Sequence, residues 1–131
     1  MARVEDQYMD VLQNIETAIS DTYRDRPDLT DYDVMRVLEA LVDDYRGEKI
    51  GRPPRPVNLS DRERLLADTM RPMCEWRLGR GPRAAEPDVP QPPPITPDEI
   101  ILCLKRLLKS VKFWNKDGGR QGYLSFISQY V

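Results

Sequence analysis

Residues 96–114 read Thr-Pro-Asp-Glu-Ile-Ile-Leu-Cys-Leu-Lys-Arg-Leu-Leu-Lys-Ser-Val-Lys-Phe-Trp. Thr96 followed by Glu99 has the spacing of a capping box, and Pro97 falls at the first helical position, where a missing N–H costs nothing. A helix therefore starts here. On it, Ile100, Ile101, Cys103, Leu104, Leu107, Leu108, Val111 and Trp114 cover an arc of roughly 160° at helical spacing. No other segment has so wide an apolar face, which predicts the central helix of a core.

The stretch before it, Arg80 to Pro97, holds Pro82, Pro87, Pro90, Pro92, Pro93, Pro94 and Pro97, more than half of the prolines in the chain. Each removes a backbone donor and fixes φ, so neither a helix nor a central strand runs through it. The chain divides into a part at 1–79, a proline-rich linker at 80–95 and a helical part at 96–131. The last is too short to bury a core alone and must dock on the first, giving one helical domain over residues 1–131. An extended linker rises about 3.1 Å per residue and spans roughly 45 Å. That length allows docking on the same chain or, by domain swapping, on a second copy.

Upstream, Val4, Tyr8, Val11, Leu12, Ile15, Ala18, Ile19 and Tyr23 mark one amphipathic helix over 4–24, stopped by Pro27. A second starts at the N-cap Thr30, with Asp31 and Asp33 in the first turn complementing the dipole. Its stripe is Val34, Val37, Leu38, Leu41, Val42 and Tyr45, with Gly47 and Gly51 as the stop and residues 52–56 as an extended connector. Ser60-Asp61-Arg62-Glu63 opens a third helix with Leu65, Leu66, Thr69, Met70, Met73 and Trp76 on one face. Pro72 predicts a kink or a split near 68–71, and Gly79 and Gly81 end the helix. Downstream of 114, Lys116 to Gly119 read as a turn, and residues 123–131 as a short last helix, with a strand as the alternative for so short a run. The fold expected is an all-α bundle of four main helices and a short fifth.

At 40% hydrophobic and 32% charged residues, the composition fits a packed core and excludes a disordered chain. The net charge of −2 is unevenly spread: residues 1–50 sum to −7 and residues 51–131 to +5. Either the two halves face and neutralise each other, or one displays a patch for an anionic partner. The chain has no histidine, the usual proton carrier near neutral pH and the commonest metal ligand. Cys74 and Cys103 are too few for a disulfide scaffold or a zinc site and read as buried thiols. No secretory pattern opens the sequence, and its longest apolar run, Ile100 to Leu104, is far short of a membrane span. A cytoplasmic protein without membrane contact is expected.

Three groups of residues are candidate sites. Lys105, Lys109, Lys112 and Lys116 form a stripe on the outer face of the fourth helix, bordered by Arg106 and followed by Arg120. Leu102 and Phe113 point to the same face. Such a face either is solvated, or pairs with the acidic first and second helices, or binds an anionic partner or a phosphate backbone. Glu39, Asp43 and Asp44 form an acidic cluster. All-α nucleotide pyrophosphohydrolases hold magnesium on helical carboxylates, but those must converge on a cleft, and the spacing of that class is absent here. The run from Asp117 to Gly122 could offer backbone donors to a phosphate, yet no strand precedes it, and a tight interhelical turn explains it. Trp76, Trp114, Tyr123, Phe126 and Tyr130 are expected to complete the core.

The reading is of a non-catalytic protein that acts by protein–protein interaction or as a homodimer, with no cofactor, metal or catalytic residues. The alternative is a binder of an anionic partner or nucleic acid through Lys105, Arg106, Lys109, Lys112, Phe113, Lys116 and Arg120. A metal-dependent hydrolase is the third reading.

Overall fold

The computed structural model describes residues 4–81, 93–116 and 119–131, with side chains from Tyr8 onward. The interior of the proline-rich linker and Asp117 and Gly118 of the expected turn lie outside the described residues, as does the side chain of Val4. Five helices follow in order: α1 Val4–Asp25, α2 Asp31–Lys49, α3 Asp61–Arg77, α4 Pro97–Trp114 and α5 Gly122–Ile127. The fold is all-α, with no strand among the described residues.

Three helices start on complete capping boxes. Thr30, Ser60 and Thr96 accept the backbone N–H of Asp33, Glu63 and Glu99, whose carboxylates return the bond to the cap N–H. Ahead of two of these caps sit Leu29 and Ile95, both buried in the core. They occupy the position from which an apolar side chain staples the entry of a helix, here opposite Val34 and Ile100.

Helices α1 and α2 each pack along both α3 and α4, and α4 makes its most extensive contact with α2. The short α5 closes against α4, α1 and α2. Ile100, Cys103, Leu104, Leu107 and Val111 of α4 are buried among residues of all the other helices in one core cluster. Burying each such large side chain is worth roughly 1.5–3 kcal/mol. Helices this short are marginal alone, so these shared faces hold them.

The structure corrects several local expectations. Helix α3 is one helix through Pro72, so the split expected as one of two outcomes there does not occur. Its buried face is Glu63, Leu66, Met70, Cys74 and Arg77, whereas Leu65 is exposed. Gly47 does not end α2 but lies buried in its last turn, with the Arg52 guanidinium packed against its Cα. Gly51, at φ 71°, makes the turn that follows. Of the aromatics expected to complete the core, only Tyr123 is fully buried; Trp114 and Tyr130 are exposed, and Trp76 and Phe126 lie partly buried at the rim.

The chain enters α4 through a fixed point. Arg77, buried at the end of α3, reaches the Asp10 carboxylate of α1 at 3.0 Å and donates to the carbonyl of Pro93 at 3.0 Å. The carbonyl of Arg77 accepts the Ile95 N–H at 2.9 Å. One residue thus holds α1, α3 and the approach to α4 together. No helix is long and apolar enough to cross a membrane among the described residues.

Candidate functional site

Carboxylates of α2 are paired with arginines of residues 51–80. Arg52 pairs with Asp43 at 2.9 Å, Arg62 with Asp33 at 2.6 Å, Arg71 with Asp44 at 2.6 Å and Arg80 with Glu48 at 2.8 Å. The Arg80 hydrogen bond holds the Glu48 carboxyl below its ordinary range, against a smaller opposing effect of burial. The expected facing of the two halves therefore holds for this stretch.

It does not hold for α4. Lys105, Arg106, Lys109, Lys112, Lys116 and Arg120 are all exposed, and among the described residues none is in an ion pair. The expectation that acids of α1 and α2 cover this stripe is corrected. Both helices pack against α4, and several of their carboxylates, those of Asp10, Asp33, Asp43, Asp44 and Glu48, are engaged by arginines of residues 51–80.

The stripe has an apolar line. Leu102 is 46% exposed, Phe113 58% and Trp114 42%. With Tyr8 of α1, Lys105, Arg106, Lys109 and Ser110 they line an open groove of about 570 Å³. Lys112, Lys116 and Arg120 are not among its lining residues. Lys112 borders the groove in sequence, the Lys116 ammonium lies 5.0 Å from the Phe113 ring centroid, and Arg120 sits beyond the turn. The aromatics run on from it as a chain. Phe113 meets Trp114 edge-on at 5.5 Å, Trp114 stacks on Phe126 at 3.9 Å, and Phe126 meets Tyr130 at 5.2 Å.

The other candidates come apart. Glu39 is exposed, Asp43 turns to Arg52 and Asp44 to Arg71, so the three carboxylates do not converge. Among the described residues no group of three or more His, Cys, Asp or Glu could hold a metal ion. A second groove, between α2, α3 and the connector, is lined by Arg52, Arg71, Arg80, Glu48 and Glu75. Arg71 pairs with Asp44 and Arg80 with Glu48 and Glu75 within it, Arg52 turns to Asp43, and the Tyr45 hydroxyl donates to Glu75 at 3.1 Å. Cys74 and Cys103 are buried free thiols; burial pushes Cys74 up to about 12, and Cys103 upward too, so neither ionises near neutral pH.

The run at 119–122 has a structural role that sequence reasoning missed. Asp31 of α2 is fully buried, and its carboxylate accepts the N–H groups of Tyr123 and Leu124 at 2.9 and 3.2 Å. Gln121 donates to the carbonyls of Pro27 and Leu29 and accepts from the Tyr23 hydroxyl. The backbone donors just after this run, those of Tyr123 and Leu124, are thus taken by an internal carboxylate. The only sequence signal was an aspartate and a glutamine at positions where dipole and turn already explained them.

Compared with protein-family models, with curated proteins and with solved structures, the chain matches none.

Proposed function

We propose that this protein acts by binding rather than by chemistry, and that the outer face of α4 receives an anionic partner. The observation that carries this reading is the unpaired stripe. Lysines spaced three and four apart on one helix face repel one another by a few tenths of a kcal/mol each. Many arginines elsewhere in the fold reach carboxylates; among the described residues no carboxylate pairs with the stripe, and an outside anion would. Leu102 and Phe113 within the stripe add apolar area that a partner would remove from water, at roughly 25 cal/mol per Å². The two buried, reduced thiols fit a cytoplasmic location.

Titration of the ¹⁵N-labelled protein with polyglutamate and with heparin at low salt tests the reading. Amide shifts concentrated at residues 102–116, weakened by salt and lost in the Lys109→Glu, Lys112→Glu double variant, are expected. Shifts elsewhere, or none with either polyanion, would overturn it.

A further inference from the structure

Resting on that reading, we propose that the partner is an acidic amphipathic helix, laid along α4 in the groove that Leu102, Phe113 and Trp114 form with Tyr8.

The layout of the face carries this. Leu102 and Phe113 are eleven residues apart, three helical turns, or about 16 Å along the axis. At 100° per residue they share one line. Lys105, Lys109 and Lys112 fall on one side of that line, and Arg106, Ser110 and Trp114 on the other, while Lys116 follows just beyond the end of α4. The face is thus a lysine rail, an apolar line and a far edge of Arg106, Ser110 and Trp114, in that order. A helix presents the same order when apolar residues recur at every third and fourth position and carboxylates flank them. Its carboxylates meet the rail while its apolar stripe covers Leu102 and Phe113.

A single-stranded nucleic acid fits less well. Such ligands stack bases on open aromatic faces. Here the Trp114 ring is stacked on Phe126, and Lys116 lies over the Phe113 ring. Leu102 offers no stacking plane.

The test uses the full chain and three probes in fluorescence anisotropy. The first is a helical peptide of about 16 residues with Leu on one face and Glu along one flank. The second is a peptide of the same composition with those positions scrambled. The third is an oligothymidylate of about the same length. The first peptide is expected to bind at least about tenfold tighter than the second. Leu102→Ala with Phe113→Ala should remove that advantage with an unchanged melting temperature. Lys109→Glu should weaken binding, and a peptide carrying Lys for the facing Glu should restore it. Equal binding of the two peptides overturns the helical partner and leaves the anionic face standing. Tighter binding of the oligothymidylate replaces the helix with nucleic acid. A dimer in sedimentation that Leu102→Asp with Phe113→Asp dissociates would make the occupant a second copy. Failure of all three probes and of polyglutamate removes both readings.

Discussion

The carboxylate of Asp31 accepts the backbone N–H of Tyr123 at 2.9 Å, so the first residue of α2 serves as the cap of α5, 92 positions away. Helix α5 has no cap of its own, since Gln121 makes no side-chain bond to its first turn. Replacing Asp31 by Ala leaves buried amide donors unanswered and should cost about 2–3 kcal/mol in urea unfolding. Asp31→Asn keeps an acceptor and should cost less.

Burial raises the Asp31 carboxyl above its ordinary value of 3.8, against the opposing pull of the amides of Tyr123, Leu124 and Gly122. A carboxyl raised in the folded state favours folding when protonated, and that contribution is lost as pH climbs through the raised value. The stability of Asp31→Asn relative to the parent should therefore rise between about pH 3 and pH 7. A difference that shrinks over the same range, in melts of the two proteins, would contradict a raised carboxyl.

Gly122 is set by a close approach rather than by its dihedral angle. A Cβ there would lie 2.5 Å from the Trp114 carbonyl oxygen, a backbone atom that cannot rotate away. Gly122→Ala should cost about 1–3 kcal/mol. The amides of residues 121–127 should lose hydrogen-exchange protection more than those of α2.

Arg77 joins Asp10 and the Pro93 carbonyl with one planar group. Lysine supplies a point charge and cannot hold both partners in that geometry. Arg77→Lys should be destabilised nearly as much as Arg77→Ala, by about 2 kcal/mol, because Asp10 keeps half its solvent exposure and its loss is partly screened. Chemical denaturation of the two variants side by side decides this; a Lys variant with parental stability would reduce Arg77 to a charge.

Leu104 and Leu107 sit at the middle of the buried face of α4, essentially without solvent exposure. Truncating either to Ala should cost about 2–5 kcal/mol, a large share of the stability of a small domain.

Charge reversal on the outer face should do the opposite. Lys109→Glu with Lys112→Glu removes no ion pair and should shift stability by no more than about 0.5 kcal/mol. A thermal melt lowered as far as that of Leu104→Ala would show the stripe to be structural.

How much of this was legible follows from what each residue answers to. The capping boxes at Ser60 and Thr96, the stripe of α2, that of α1 from Tyr8 to Ile19 and that of α4 from Ile100 to Val111 depend on neighbours within four residues, and they read correctly. The face of α3 was misplaced because two of its buried positions are charged. Glu63 is held by Ser60 and Arg36, and Arg77 by Asp10 and Pro93, and a count of apolar residues passes over both. Trp114 lies at the edge of the apolar arc of α4, where burial depends on what α5 covers. The lysine stripe was visible as residues. That it lacks carboxylate partners was not, because this depends on which acids the arginines of 51–80 had already taken.

The pairing of Asp31 with the start of α5 also sets an order of events. Contacts that close α2 on residues 97–127 join positions many tens of residues apart, and such long closures are slow. Until α4 arrives, α1 and α2 keep the apolar sides it will cover open to water. During synthesis the first three helices are thus an unfinished surface, exposed to mispairing with other nascent chains until residues 97–127 emerge.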